Sequence, residues 1–537
     1  MNFRNDVTFY LPKKNGWKNF SYKNYKIFIK GFLYNVNNKN FLNLVIQNLI
    51  IKKNLTFFNN NYGEYTLVIY SKNFKIILSD PSRTFPIYFY KEKNTLCVSD
   101  DPKKIQEKYN LIKLNKDMVK IALMSGYTIG RYTIYEKVYT INAGEIVEFI
   151  KEKTESSYYS DIYRNKAVKK NYNQYKYEYL KILNDIFLDL KKKIGSKNIY
   201  LALSAGDDSK LVLSMLKKLN FKNVTCFSYG LKNNWESLAA KTYAKKLGYN
   251  FKFIPIESNI MINFFKSRTF KKYFNKMDYF DSTPSLHEIY VIDQIRRVIK
   301  KNSVILNGQP ADAFNGSYLP KNFLYKPQNK NLFLEAVIKK HYSLWINLVK
   351  YENIKLIKKY VINDLNKYFK MSKVDNYKKM LFTSYQNRVC KYLHKNTQVY
   401  SYFNFETYTP YKDPRFLKFW SSVPNHHHYK RSLSKAILQD LNFFNLWINN
   451  KSQKNFHNFK IKILRFFLKL LFIFSKSKWK IFDKRFFGYK NDNQLKTHII
   501  DKNEWKKSKN HRSSVSFLTI KWLNIHNNNL TKTLLDE

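Results

Sequence analysis

Small and acidic side chains are concentrated in one short stretch of the sequence, LALSAGDDSKLVL. Ser204, Gly206 and Ser209 are small enough to let phosphate oxygens approach the backbone, and a strand-to-helix loop presents free N–H groups and the positive end of a helix dipole. The neighbouring carboxylates of Asp207 and Asp208 suit an anion site only if a cation accompanies the anion. The stretch therefore predicts a phosphate site in which Mg²⁺ bridges a carboxylate and phosphate oxygens.

A second acidic loop, GQPADAFNG, follows the apolar run SVILN further along the chain. If both loops follow parallel strands of one sheet, they lie at one edge of it, and Asp312 faces Asp208 across a nucleotide. The two loops together predict one Mg²⁺ site with a carboxylate from each. The alternative for the first loop is an ordinary strand-to-helix turn with an Asp near the N-cap, and the second loop alone favours no function.

The elements around these loops predict how the loops are positioned. From about residue 197 strands and helices alternate, with strands at NIYLALS, VTCFSYG, FKFIPI and SVILN and helices at KLVLSMLKKL, ESLAAKTYAKKLG and LHEIYVIDQIRRVIKK. This alternation predicts a parallel sheet covered by helices, with ligands beyond the carboxyl ends of the strands. The sequence before about residue 163 alternates in short segments typical of a mainly β domain, and beyond about residue 332 it is mostly helical.

Composition limits the classes of protein that the chain can belong to. Of its 537 residues 44% are hydrophobic, which excludes a disordered chain and allows two or three domains. The net charge of +57 comes from lysines spread along the sequence, which favours compositional drift, leaves an anionic membrane surface as an alternative partner and makes nucleic acid the least favoured one. The three separated cysteines predict a reducing, cytoplasmic location without a zinc site, and no signal peptide or membrane span is expected.

Five motifs in the same order resemble those of the asparagine synthetase family. SAGDDS resembles the SGGxDS pyrophosphate loop of the N-type ATP pyrophosphatases, with Ala205 in place of the first Gly, and Asp281 and Pro284 resemble the family's D-x-x-P segment. LNGQPADAFNGSYLP, FETYTPYKDPRFLKFWSSVP and SKAIL resemble the three later motifs. Upstream, NYGEYTLVIYS, LSDPSRTFPIYFY and SGYTIGRYTIYEKVYTINAGEIVEF resemble an amidotransferase-type domain, so the resemblance runs from about residue 25 to 440.

The resemblance implies an α/β fold with a Rossmann-like parallel sheet of the adenine-nucleotide α-hydrolase type. A β-rich, Ntn-hydrolase-like α+β domain is expected before this sheet, and a helical region is expected after it. The expected boundaries are 1–165 for the degenerate amidotransferase-like domain, 170–450 for the ATP pyrophosphatase domain and 451–537 for a basic, aromatic extension.

The resemblance also implies ATP and Mg²⁺ as ligands. ATP and its pyrophosphate would contact the first loop and the start of the second: Leu203, Ser204, Ala205, Gly206, Asp207, Asp208, Ser209 and Gly308. Asp208 and Asp312 would hold Mg²⁺, while Lys435, at the phosphates, and Gln309 would take part in catalysis. The implied reaction activates a small-molecule carboxylate as an acyl-adenylate, releases pyrophosphate, and lets an amine or ammonia displace AMP.

Three departures modify what the resemblance implies. Family members that hydrolyse glutamine begin with a cysteine, whereas this chain begins MNF, its nearest cysteine is Cys97, and Lys30 and Phe32 replace an Asn and a Glu of the glutamine-binding segment. The expectation is therefore a ligase without glutaminase activity, as in the β-lactam synthetase branch.

Gln309 replaces a Glu thought to act as acid or base, and an amide cannot take a proton at neutral pH. TYTPYKD, which carries Tyr408, differs from the family's segment and predicts a different substrate pocket.

Two functional alternatives and one further partner stay open. A non-catalytic relative that binds ATP or a partner would explain Ala205 and Gln309, and a PP-loop tRNA-modifying enzyme would share SAGDDS. The run FKIKILRFFLKLLFIFSKSKWKIF interleaves basic with large apolar residues, which is typical both of helices on anionic membranes and of helices packed on a domain with their lysines outward. The packed helix is the favoured interpretation, and peripheral membrane contact is the alternative.

Overall fold

A computed structural model describes residues 7–447 except 35, 56, 61, 285, 287, 301, 318, 327–328 and 371–373, and then residues 463–472, 475, 479, 482–483, 500, 502–508 and 510–527. The strands are β1 (Val7–Tyr10), β2 (Lys18–Tyr22), β3 (Tyr25–Leu33), β4 (Gly63–Tyr70), β5 (Lys75–Ser79), β6 (Tyr88–Glu92), β7 (Thr95–Ser99), β8 (Tyr139–Thr140), β9 (Glu145–Ile150), β10 (Lys153–Tyr158), β11 (Asn198–Ala202), β12 (Val224–Gly230), β13 (Asn250–Pro255), β14 (Ser303–Leu306) and β15 (Glu406–Tyr408).

The α-helices surround these strands and are the main elements of the described second half of the chain. They are α1 (Asn38–Val45), α2 (Phe57–Asn60), α3 (Pro102–Tyr109), α4 (Lys116–Ser125), α5 (Tyr172–Ile194), α6 (Asp207–Lys218), α7 (Trp235–Lys246), α8 (Ser258–Lys266), α9 (Arg268–Lys276), α10 (Ile289–Ile295), α11 (Lys330–His341), α12 (Tyr351–Phe369), α13 (Asn376–Thr383), α14 (Lys395–Tyr402), α15 (Pro414–Ser422), α16 (Asn425–His428), α17 (Ser432–Leu441), α18 (Lys502–Lys507) and α19 (Ser514–His526).

Two sheets form the N-terminal part of the molecule, as the alternating pattern of the sequence predicts. The larger sheet has the order β10-β9-β5-β4-β3-β2 and is antiparallel throughout, while the smaller has the order β1-β7-β6-β8. Apolar side chains from both sheets share one buried cluster, which includes Phe28 and Val68 of the larger sheet and Phe89 and Val98 of the smaller. This shared core makes the region a β sandwich, and the β-rich expectation is confirmed.

A five-stranded parallel sheet, in the order β13-β12-β11-β14-β15, forms the centre of the following region. Leu201 pairs with Leu306 across the two neighbouring strands β11 and β14. Because parallel strands end at the same edge, the loops after β11 and β14 must lie side by side there. The sheet confirms the α/β fold class predicted from the strand and helix alternation.

The C-terminal helix α19 packs against the rest of the molecule, whereas residues 463–472 do not. Phe517 and Trp522 of α19 are buried, and Trp522 Nε1 donates a hydrogen bond to Asp278 at 2.9 Å. The favoured packed interpretation of the basic, aromatic run is not seen for its described residues 463–472, where Phe466, Phe467 and Leu471 are exposed. Within the described part of the chain, no helix is long and apolar enough to cross a membrane.

Candidate active site

The first acidic loop connects β11 to α6, and hydrogen bonds between Ser204 and Ser209 join its two ends. Ser209 Oγ accepts a hydrogen bond from the backbone N–H of Ser204 at 3.1 Å, and the two serine hydroxyls lie 3.1 Å apart. The N–H of Gly206, which is the N-cap of α6, donates to Ser204 Oγ at 3.2 Å. Ser204 and Gly206 are exposed while Ser209 is buried, so the loop is anchored on one side and open on the other.

The second loop follows β14 and lies directly against the first. A Cβ atom added at Gly308 would lie 3.0 Å from the backbone N of Ser209 and 3.1 Å from its Cα, so a side chain at this position would push the two loops apart. The following Gln309–Pro310 peptide bond is cis, and Asp312 lies in a short 3-10 turn. The two loops therefore lie in close contact at Gly308, and Asp312 follows four residues later in the second loop.

One guanidinium connects the two predicted metal ligands. Arg431 Nη2 lies 3.2 Å from Asp208 Oδ1, and Arg431 Nη1 lies 2.8 Å from Asp312 Oδ1. Sequence reasoning did not identify Arg431, which precedes α17 in a left-handed backbone conformation with φ of 62°. Its only sequence signal is a basic residue at a helix N-terminus, a position that disfavours positive charge.

Burial and the charge of Asp312 raise the pKa of Asp208 to about 7, against the opposing effect of Arg431. A bound cation would relieve this repulsion. In the described part of the chain, no three His, Cys, Asp or Glu side chains gather into a metal-binding group. Two carboxylates that share one cation nevertheless fit Mg²⁺, which prefers oxygen ligands and takes the remainder from phosphates and water. Asp208 and Asp312 are the residues that would hold it.

Asp207 interacts elsewhere, although it is next to Asp208 in sequence. Its Oδ1 lies 3.3 Å from Lys210 Nζ and accepts a hydrogen bond from Trp447 Nε1 at 3.1 Å. Tyr411 stabilises the first loop from another direction, because its hydroxyl donates to the backbone oxygen of Asp208 at 2.8 Å. Tyr411 belongs to the TYTPYKD segment that departs from the family pattern, so that departure touches the loop itself.

The two residues predicted to take part in catalysis, Gln309 and Lys435, differ in their surroundings. Gln309 Oε1 is buried and has no hydrogen-bond partner among the described residues, which leaves an acceptor beside the acidic pair. Lys435 is exposed near the start of α17, one turn after Arg431, and has no ion pair within the described residues. Leu203 is buried at the end of β11. The geometry thus brings Arg431, and not Lys435, into contact with the acids.

A second buried ionic cluster lies between the N-terminal region and the rest of the chain. Asp281 accepts a hydrogen bond from Arg83 at 2.6 Å and from the hydroxyl of Tyr88 at 3.1 Å, and its other oxygen lies 3.2 Å from Lys395 Nζ. Burial alone would raise the pKa of Asp281, but Lys395, Arg83 and Lys391 outweigh it and lower the pKa to about 2. This sequence-motif aspartate is therefore a fully paired structural carboxylate.

One family model and several solved structures match parts of this chain. Residues 194–441 match the family model of asparagine synthase. The chain is similar to the NH3-dependent NAD synthetase of Campylobacter jejuni, with 16% identity over 38% of this chain and 99% of that one and a TM-score of 0.21. It is similar to the NMN synthetase of Francisella tularensis, with 12% identity over 49% of this chain and 97% of that one and a TM-score of 0.19. It is also similar to the glutamine phosphoribosylpyrophosphate amidotransferase of B. subtilis (10%, 55% and 64%, TM-score 0.19). These TM-scores are too low to support a functional conclusion, and no curated protein sequence matches significantly.

Proposed function

We propose that the chain, whose residues 194–441 match the family model of asparagine synthase, is an ATP-dependent ligase that adenylates a small-molecule carboxylate and couples it to an amine or ammonia. The observation that carries the proposal is the meeting of Asp208 and Asp312 around one guanidinium. These acids follow neighbouring parallel strands, where α/β sheets bind their ligands. ATP and Mg²⁺ are the ligands that this arrangement suits.

The proposed first step is attack of a carboxylate oxygen on the α-phosphorus of ATP, with cleavage of the bond to the bridging oxygen and departure of pyrophosphate. The loop of Ser204, Gly206 and Ser209 accommodates the phosphates because its residues are small. Mg²⁺, when held by Asp208 and Asp312, supplies positive charge to the phosphate oxygens. Arg431 then exchanges its two carboxylates for phosphate oxygens, a geometry that guanidinium groups favour.

The proposed second step is attack of an amine nitrogen on the acyl carbon, with cleavage of the acyl–oxygen bond and departure of AMP. Gln309 Oε1 is a buried acceptor without a partner, so it can accept an N–H hydrogen bond from the incoming amine and orient it. Its amide cannot remove the proton that the amine loses, because an amide is not basic at neutral pH. We therefore assign Gln309 a positioning role and propose that the proton leaves by another group.

The proposal includes the absence of intrinsic glutaminase activity. The chain has three cysteines, Cys97, Cys226 and Cys390, and all three are buried. Burial raises the pKa of the Cys226 thiol to about 12 and also raises that of Cys390, so neither is a thiolate at neutral pH. A buried neutral thiol is a poor nucleophile. We expect the enzyme to use an amine or ammonia directly.

The test is pyrophosphate release from Mg-ATP in the presence of a panel of carboxylic acids, with and without ammonium, primary amines or glutamine. We expect release that depends on one carboxylate and that glutamine does not increase beyond the amine-free rate. Asp208→Ala and Asp312→Ala should abolish release. Asp207→Ala is the matched control, because Asp207 is adjacent but contacts Lys210 and Trp447 instead, and it should retain most of the activity.

Three other results of this assay would contradict the proposed function. ATP binding without pyrophosphate release under any condition would indicate the non-catalytic relative. Release that depends on added RNA, with affinity that falls steeply with salt, would indicate the tRNA-modifying alternative. Stimulation by glutamine in the purified chain would show that the glutaminase assignment is wrong.

We also propose that residues 463–472 contact an anionic membrane surface. This described part of the basic run exposes 61% of Phe466, 60% of Phe467 and 77% of Leu471, and it carries Arg465 and Lys469 among them. Exposed aromatic and aliphatic side chains beside basic ones suit the interface of an anionic bilayer.

Sedimentation with vesicles tests this contact. The chain should bind vesicles that contain phosphatidylserine and not vesicles of phosphatidylcholine alone, and replacing Phe466, Phe467 and Leu471 together by Ser should weaken binding by about tenfold or more. Ile112→Ser removes a residue that is 71% exposed elsewhere and should leave binding unchanged. Equal binding of the triple variant would show that general positive charge, and not this segment, attracts the membrane.

A further inference from the structure

A cavity of about 750 Å³ lies between the N-terminal sandwich and the edge strand β15 of the parallel sheet. Lys30 and Phe32 of β3 line it on one side, and Tyr408 of β15 with Lys412 line it on the other. Lys193, near the end of α5, completes the group of basic residues used below. None of the residues 203–209 or 308–312 lines this cavity, so it is separate from the nucleotide loops.

Three lysines of the cavity wall lack an anionic partner among the described residues. Lys30 Nζ lies 5.1 Å from the centre of the Phe85 ring, and Lys193 Nζ lies 4.1 Å from the centre of the Phe32 ring. Lys412 Nζ donates a hydrogen bond to Thr397 Oγ1 at 3.2 Å. Ring faces and a hydroxyl do not neutralise an ammonium group, so the wall carries uncompensated positive charge.

Two acids of the same wall are already engaged. Asp100 accepts hydrogen bonds from Asn15 Nδ2 and from Trp17 Nε1, both at 2.9 Å. Glu406 accepts from Lys197 and from the hydroxyl of Tyr408. These carboxylates are therefore held in place by other groups and do not pair with Lys30, Lys193 or Lys412.

Glu64 is the remaining acid, and it compensates for little of the positive charge. Burial raises its pKa to about 7, against the opposing charge of Lys412, so its carboxyl carries only part of a negative charge at neutral pH. Burial is also the largest cause that lowers the pKa values of Lys30, Lys193 and Lys412. The charges of Asp100, Glu406 and Glu64 oppose this lowering, but within the described part of the chain no ion pair joins these acids to the three lysines.

We propose that this cavity binds a small organic anion, carboxylate or phosphate, at a site separate from the nucleotide loops. Lys30, Lys193 and Lys412 supply the ammonium donors, and the rings of Phe32 and Tyr408, whose centres are 5.9 Å apart, supply an apolar surface for the organic part. The volume is within the range of sites that enclose small molecules. The residues of this site are distinct from those assigned to the proposed reaction, so the site can be tested without ligase activity.

Thermal unfolding of the full chain without ATP tests the site. The probes are inorganic phosphate, ribose 5-phosphate, malonate and citrate, each compared with chloride at equal ionic strength. We expect at least one organic anion to raise the unfolding midpoint by about 3 °C, and the phosphate and carboxylate arms decide which anion class the site prefers. Lys30→Met and Lys193→Met, at half-buried positions that should tolerate replacement, should each remove most of this rise.

Two control variants test whether the anion binds in this cavity. Lys23→Met changes an exposed lysine of the β2–β3 turn and should keep the full rise. Arg431→Met changes the nucleotide loops and should also keep it. A rise that disappears in Arg431→Met but persists in Lys30→Met would place the anion at the nucleotide loops and overturn the proposal. The absence of any rise beyond that of chloride would overturn it as well, while leaving the proposed ligase activity untouched.

Discussion

Asp281 and Asp208 are two aspartates that an arginine contacts, yet their electrostatic surroundings are opposite. Asp281 is fully buried between Arg83 and Lys395, and positive charge overcomes burial and lowers its pKa to about 2. The Asp208 side chain is 23% exposed and shares Arg431 with a second carboxylate, so burial and the charge of Asp312 prevail and raise its pKa to about 7.

This difference separates a structural acid from one suited to bind a ligand. Two cations already neutralise Asp281, so no uncompensated negative charge is left there for a further cation. Asp208 and Asp312 have two carboxylates for one guanidinium, so they can accept another cation. A raised pKa together with uncompensated charge makes Asp208 the better candidate for ligand binding of the two.

The largest effect is expected from Asp281→Asn. The substitution leaves Arg83 and Lys395 buried without their counter-charge, which should lower the free energy of unfolding by about 3–5 kcal/mol. Urea denaturation measures this change. Asp440→Asn is the control, because Asp440 pairs with Lys176 on the surface and its replacement should leave the midpoint unchanged. If the two substitutions lowered the free energy of unfolding equally, Asp281 would contribute no more to stability than a surface carboxylate does.

The next effect is expected from Asp208→Asn, in activity and not in stability. Removing this carboxylate also removes its repulsion with Asp312, so the free energy of unfolding should stay the same or increase. Pyrophosphate release should fall at least 100-fold, about 2.7 kcal/mol in the barrier, because the metal loses a ligand. Paired measurements of urea midpoint and initial rate check both parts. A large loss of stability would make Asp208 structural, like Asp281.

The fold was largely predictable because its signals are local. Apolar strands followed by helical periodicity identified β11 to β14 and the loops after them, since the alternation itself dictates a parallel sheet. β15 was missed because it has only three residues and joins the sheet about a hundred residues after β14. The helix expected over LHEIYVIDQIRRVIKK extends only over Ile289–Ile295.

The site was predictable only in part, because some of its contacts join residues that are far apart in the sequence. Asp208 and Asp312 could be paired because strand ends in a parallel sheet share an edge. Arg431 could not be found, since its contact with Asp208 spans 223 positions and depends on how α17 packs. The unpartnered oxygen of Gln309 likewise depends on tertiary packing. The roles assigned to these residues stay predictions until activity is measured.

A smaller effect concerns pH. The pKa of Asp281 is lowered in the folded state, so its ionisation stabilises the fold above the unfolded value near 4, and this stabilisation is lost as the pH falls towards 2. The difference in unfolding free energy between the wild type and Asp281→Asn should therefore shrink by about 2 kcal/mol between pH 5 and pH 2. Urea denaturation at both pH values tests this. A difference that stays constant would mean that charge contributes little at Asp281.

The smallest effect is expected from Arg431→Met, and it tests whether the guanidinium is only a counter-ion for the acids. If Arg431 moves to the phosphates when Mg-ATP binds, its loss should weaken ATP binding about tenfold, or about 1.4 kcal/mol, as measured by equilibrium dialysis. Lys430→Met is the matched control, because Lys430 is basic, adjacent and also has a left-handed backbone, but it lies over the Tyr429 ring. If Arg431 instead only occupies the metal position, its removal should tighten Mg-ATP binding, since nothing then competes for the two carboxylates. The same assay on Lys435→Met decides which basic residue meets the phosphates, because only a residue that contacts them can weaken binding when it is replaced.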